Sequence, residues 1–70
     1  MADPVYKHVE VTGTSGKSLE DAIQNAIRRA GVTLRNLRWF EVVEIRGAIK
    51  DAAVESWQVT VQIGFVVEED

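Results

Sequence analysis

Trp57-Gln58-Val59-Thr60-Val61-Gln62-Ile63-Gly64-Phe65-Val66-Val67 decides the fold. Trp57, Val59, Val61, Ile63, Phe65 and Val67 share one parity, while Ser56, Gln58, Thr60, Gln62 and Gly64 share the other. A two-residue period of this length predicts a strand with one apolar and one polar face. Upstream, Lys50-Asp51-Ala52-Ala53 reads as a hairpin turn, although it lacks the Asn-Gly or Asp-Gly pair that tight hairpins favour. Before the turn runs a second extended segment, Leu37 to Ile49, with Trp39, Phe40, Val42, Val43 and Ile45. Gly47 marks a bend or bulge in it. Alternation places its Glu41 and Glu44 on opposite faces, a poor arrangement for an acid/base pair.

Further upstream the period changes. Leu19, Ala22, Ile23, Ala26, Ile27 and Ala30 form one apolar stripe of a helix. Ser18 is placed to cap it, and Glu20 and Asp21 suit the positive end of its dipole. Arg28 and Arg29 are expected in the last turn and Gly31 as the stop, giving a helix of about 12 residues, ~18 Å long. Thr33-Leu34-Arg35-Asn36 is a connection. At the other end Val5, Val9 and Val11 alternate with Tyr6, His8, Glu10 and Thr12, so a first strand is expected over 5–12. Gly13-Thr14-Ser15-Gly16 reads as the turn that ends it.

The order is β-α-β-β. A right-handed crossover sets the first two strands parallel and leaves the gap between them for the third. The expected fold is α+β: a three-stranded antiparallel sheet packed on one helix, a single domain over 1–70. One helix covers one face of a sheet. Some of Tyr6, Trp39, Phe40, Val42 and Trp57 therefore lie outside the core, ready to meet other subunits or a flat ligand.

Composition narrows the function. The chain has 70 residues, 46% apolar and 27% charged, as in globular proteins. No apolar run approaches the roughly 20 residues of a membrane helix. A net charge of -3 argues against a nucleic-acid partner. There is no cysteine, and the single His8 cannot build a histidine metal cluster. Met1-Ala2-Asp3-Pro4 lacks the basic start and apolar stretch of a secretory signal, so a cytoplasmic location is expected. A chain of 7.8 kDa gains roughly 100 kcal/mol from apolar burial and loses about 105 kcal/mol on ordering. A balance so near zero favours a homo-oligomer.

No enzyme centre is evident. Gly16-Lys17-Ser18 resembles the end of a phosphate loop, but the first glycine of that motif would fall at Val11. A turn plus a helix cap is the better reading. His8 reads as a surface histidine on a strand. Trp39 offers a large electron-rich plane for stacking, Gln58 a donor and an acceptor for a pyrimidine-like edge, and Arg35 and Arg46 forked donors for a phosphate. A tryptophan in a small domain is nevertheless more often core than ligand platform.

The run Thr33-Leu34-Arg35-Asn36-Leu37-Arg38-Trp39-Phe40-Glu41-Val42, followed by Glu44-Ile45-Arg46-Gly47, Gln58-Val59 and Val61-x-x-Gly64-Phe65, resembles the dodecins. So do Val5-Tyr6-Lys7, Gly13-Thr14-Ser15 and Ser18-x-x-Asp21-Ala22-Ile23-x-x-Ala26. The resemblance covers nearly the whole chain. It implies a subunit of a hollow homododecamer that stores or sequesters flavin, FMN or riboflavin, as stacked pairs between subunits. It implies no catalysis. Trp39 matches the tryptophan that stacks on the isoalloxazine, and Gln58 the glutamine on its pyrimidine edge. Arg46 matches an arginine close to the flavin, Arg38 the variable position before the tryptophan, and Tyr6 a residue near the phosphate end. Some relatives also bind coenzyme A, which the resemblance would place at Lys7, Arg29, Thr33 and Arg35. Trp57 stands where relatives often carry Tyr or Phe.

Strand geometry adds an expectation of its own. With Ile49 opposite Val54, Gln58 falls opposite about Ile45, and Trp39 lies six residues on, roughly 20 Å along an extended strand. One ring does not span that distance, so the flavin site is expected to draw on more than one chain. Two other classes stay open at this point: a flavin-dependent enzyme using the same pocket, and a ligand-free structural oligomer.

Overall fold

The structure is a computed structural model that describes residues 3–67. Met1, Ala2 and the acidic end Glu68-Glu69-Asp70, whose run of charges predicts a solvated tail, lie outside them. Four elements follow in order: β1 (Tyr6–Ser15), α1 (Leu19–Thr33), β2 (Leu37–Lys50) and β3 (Ala53–Val66). The sheet order is β1-β3-β2, with β3 antiparallel to both neighbours. The third strand fills the gap left by the crossover, and the expected β-α-β-β fold is the observed one.

Ser18 caps α1: its Oγ accepts from the Asp21 backbone N–H at 3.0 Å. Ser15 Oγ donates to Asp21 Oδ2 at 2.6 Å and accepts from the Lys17 N–H at 2.9 Å, tying the end of β1 to the start of the helix. The Gly16-Lys17-Ser18 motif is therefore a turn and a cap. The helix runs past the expected stop. Gly31 lies within it, Arg28 and Arg29 precede its last turn, and Leu34 closes it by donating its N–H to Ala30 O at 3.0 Å. An exposed glycine inside a helix costs only about 1 kcal/mol, too little to end one whose next residue on the core side, Leu34, still packs against the core.

β1 is also longer than expected. Gly13, Thr14 and Ser15 stay in the ladder opposite Val59, Gln58 and Trp57. Gly13 is not a turn residue; it lets the helix approach. A Cβ there would sit 2.9 Å from Ala26 Cβ, 3.0 Å from Ala26 N, and against the carbonyl oxygen of Ala22. Ala22, Ala26 and Ala30 are buried against Val59, Val61 and Ile63 of β3, with Val9, Val11, Leu19, Ile23, Ile27, Leu34, Leu37 and Trp57 around them.

The helix packs on β1 and β3 and leaves β2 largely uncovered. Phe40, Val42 and Ile45 stand opposite Ile63, Val61 and Val59, on the helix side of the sheet. They are nevertheless 46%, 39% and 54% exposed. The β2–β3 hairpin turns through Asp51 and Ala52, whose φ values of 53° and 60° make a two-residue loop between the paired Lys50 and Ala53.

Register shifts interrupt β2 at Leu37/Trp39, Val42/Glu44 and Ala48/Ile49. At the last, the extra residue is Glu55 of β3, between Val54 and Ser56, so the bulge expected in β2 at Gly47 stands in the partner strand. The middle one corrects the reading of the two carboxylates. Val43 is an extra residue, so face and numbering parity part company. Glu41 stands opposite Gln62 and Glu44 opposite Thr60, both on the polar face.

The protomer measures 56 × 20 × 13 Å, with a radius of gyration of 14.5 Å, against about 11 Å for a compact chain of this length. Its accessible surface of 5285 Å² exceeds the roughly 4,400 Å² of a compact monomer of this mass.

Candidate functional site

The sheet face turned away from α1 carries the polar set. Across it, Trp39, Gly64 and His8 stand in one row, with Tyr6 next along β1 opposite Val66. Trp39 reaches this face because Arg38 is the extra residue of the first bulge. Leu37 still pairs with Phe65 on the helix side, and simple alternation would return residue 39 to that side. Arg38 itself is exposed.

The indole lies across Gly64. A Cβ there would be 2.6 Å from Trp39 Cδ2 and closer still to Cε2 and Cζ2. Tyr6 meets it edge-on, with centroids 6.2 Å apart and planes at 62°, and His8 stands at 6.0 Å and 49°. Trp39 remains 39% exposed. One side rests on the β3 backbone, and the other is available to a second aromatic plane.

Arg46 and Gln58 form the other end of the same face. They are directly opposed, and Arg46 Nε donates to Gln58 Oε1 at 3.3 Å. Arg46 Nη1 donates to Glu44 Oε1 at 3.4 Å, an exposed ion pair of little energetic weight. Gln58 was expected opposite Ile45. The shift at Ala48/Ile49 moves it one residue, beside Arg46. With its carbonyl oxygen engaged, the amide presents its N–H donors.

Gln58 and Gly64 lie six positions apart on β3, roughly 20 Å. The protomer thus brings Trp39 to Tyr6 and Arg46 to Gln58, but holds the two pairs apart. Between them Thr12 and Thr60 share a hydroxyl hydrogen bond of 2.8 Å. Elsewhere, Arg29 and Thr33 line a cleft of about 590 Å³ between α1 and Val11–Thr14 of β1. Asn25 also lines it and donates to Thr14 O at 2.9 Å. Lys7 and Arg35 stand outside that lining. Among the described residues no cluster of three or more metal-binding side chains occurs, and no helix is long and apolar enough to cross a membrane.

A protein-family model described as Dodecin matches residues 5–68. The chain belongs to the dodecin family. The dodecin of Thermus thermophilus is 57% identical over 65 residues, covering 93% of this chain and 94% of its own. A crystal structure of a Thermus thermophilus protein matches with a TM-score of 0.92 at 54% identity, covering 97% of this chain and 100% of that one. The dodecin of Streptomyces coelicolor matches with a TM-score of 0.92 at 46% identity over 100% of both chains.

Two residues of this dodecin's candidate site escaped the sequence. Gly64 enters the sequence reading as a face position and a motif residue with no role, although a lone glycine inside a clean alternation signals close approach by another group. His8 was read as a plain surface residue; its place beside Trp39 follows from pairing with Gly64, which alternation within β1 does not show.

Proposed function

We propose that this dodecin stores and sequesters flavin, FMN or riboflavin, by stacking it on Trp39 where the subunits of a cytoplasmic homododecamer meet. The observation that carries this reading is the indole itself: flat on Gly64, flanked by Tyr6, and open on its other side. Stacking of a flat heterocycle on such a platform contributes about 1–3 kcal/mol. Gln58, oriented by Arg46, supplies amide donors for the pyrimidine edge of the ring. The roughly 20 Å between Trp39 and Gln58 along the strand means that the indole and the amide meeting one flavin come from different copies. Arg38, next to the indole, and Arg46 supply positive charge, and Tyr6 stands toward the ligand's phosphate end. Coenzyme A is proposed as a second ligand, with Arg29 and Thr33 in the β1–α1 cleft and Lys7 and Arg35 reaching it from outside.

The role is binding. An indole in contact with an excited flavin would donate one electron and recover it as the pair relaxed, so that Trp39 would turn the energy to heat with no net oxidation. The test is native purification followed by extraction of the ligand and identification by mass. A yellow, weakly fluorescent protein that yields FMN or riboflavin is expected. A colourless protein that leaves the fluorescence of added riboflavin unquenched overturns the reading. Reduction of the bound flavin by an added substrate would favour an enzyme instead.

A further inference from the structure

Gly64 is buried in β3, paired with Trp39 on one side and His8 on the other. Its neighbours on the polar face of the strand, Gln62 and Val66, carry long or branched side chains. At Gly64 the missing side chain is replaced by the indole, whose Cδ2, Cε2 and Cζ2 lie where a Cβ would stand. The glycine is not needed for its backbone, because no glycine among the described residues has a positive φ. An alanine suits that backbone equally well; only the methyl group has no room. The position is therefore selective for space alone.

We infer that Gly64 is a positioning residue for ring stacking: by giving up its side chain it seats the Trp39 indole against the sheet and makes it a platform with one open face. This rests on the flavin reading of Trp39 and adds what sets the plane of the platform. A seated indole is already ordered before a ligand arrives, which removes part of the entropic cost of binding. Tyr6 blocks sliding toward one side by its edge contact. A ring bound here meets the indole on one of its faces only. Its second face is left for a group from outside this protomer.

The test uses a Trp57→Phe background, in which Trp39 is the remaining indole. Gly64→Ala is introduced into it, and the full-length protein is measured with and without riboflavin. Trp39 emission shifted to the red in the ligand-free protein, with riboflavin affinity weakened at least tenfold and the β-sheet circular dichroism retained, is the expected result. Unshifted emission overturns the inference, and so does unchanged affinity. Should Gly64→Ala fail to fold, Trp39→Ala is added: with the indole gone the methyl has room and folding returns. A double variant as unfolded as the single one overturns the inference. If the parent protein itself ignores riboflavin, the flavin reading falls, and the emission shift alone decides whether Gly64 seats the indole.

Discussion

Trp39 touches Gly64, Tyr6 and His8 on the polar face and takes no part in the buried cluster of β3 and α1. Trp39→Ala should therefore separate binding from folding. Loss of a stack worth about 1–3 kcal/mol weakens riboflavin binding roughly 5- to 150-fold, while the assembled mass stays the same. Fluorescence titration beside light scattering checks both, and an unchanged affinity refutes the assigned role. Gly13→Ala should do the reverse. Its methyl would meet the Ala22 carbonyl and the Ala26 backbone N, which have no rotamer to escape into. Overpacking of this kind costs about 1–3 kcal/mol, to be read from the urea midpoint. The two glycines differ from Trp39 in how far the sequence discloses them. An indole announces its chemistry by its type, whereas a glycine in a strand announces only that something comes close. What comes close, a helix at Gly13 and an indole at Gly64, is settled by the packing of distant segments.

Among the elements, the ones written in local chemistry were legible. The alternation of β3, the stripe and Ser18 cap of α1 and the turn at Asp51-Ala52 are each carried by neighbouring residues. The ends and the bulges were not. β1 continues through Gly13 because β3 still pairs with it, and α1 continues through Gly31 to Leu34, which packs against the core and closes the last turn on Ala30 O. The extra residues Arg38 and Val43 reverse the parity that alternation relies on, and that reversal brings Trp39, Glu41, Glu44 and Arg46 onto one face. The candidate site was thus legible as residue types and not as an arrangement. The hairpin turn offers a test at this scale. Ala52 holds φ 60° without being glycine or asparagine, a conformation that costs an L-residue about 1–2 kcal/mol. Ala52→Gly relieves that cost and creates the Asp-Gly pair that such turns favour. After the entropy that glycine adds to the unfolded chain, a net gain of about 1 kcal/mol is expected. A urea midpoint equal to or below that of the parent would contradict the left-handed assignment of Ala52.

The protomer is longer and more exposed than a compact chain of its mass. A strand pair 14 residues long projects beyond a helix of 15, and the helix-side residues of β2 find no cover within the chain. Phe40, Val42 and Ile45 continue the apolar face of Ile63, Val61 and Val59 outward, so the buried core and the bare stripe form one surface divided only by where the helix ends its reach. Covering that stripe with other copies is the most direct source of the stability that a 7.8 kDa chain lacks alone. Ile45 is the place to test it. At 54% exposure its side chain gives little to the isolated protomer, so Ile45→Asp leaves the fold of a monomer nearly untouched. In the assembly the same aspartate would be an unpaired charge facing an apolar neighbour, a burden of several kcal/mol repeated at every symmetric contact. Light scattering should give the parent the mass of a dodecamer and the variant that of smaller species. The variant should also melt at a temperature that rises with protein concentration, since folding is then linked to reassembly. A parent that scatters as a monomer, or an Ile45→Asp protein that keeps the parent's mass, would show that this stripe is not where the copies meet.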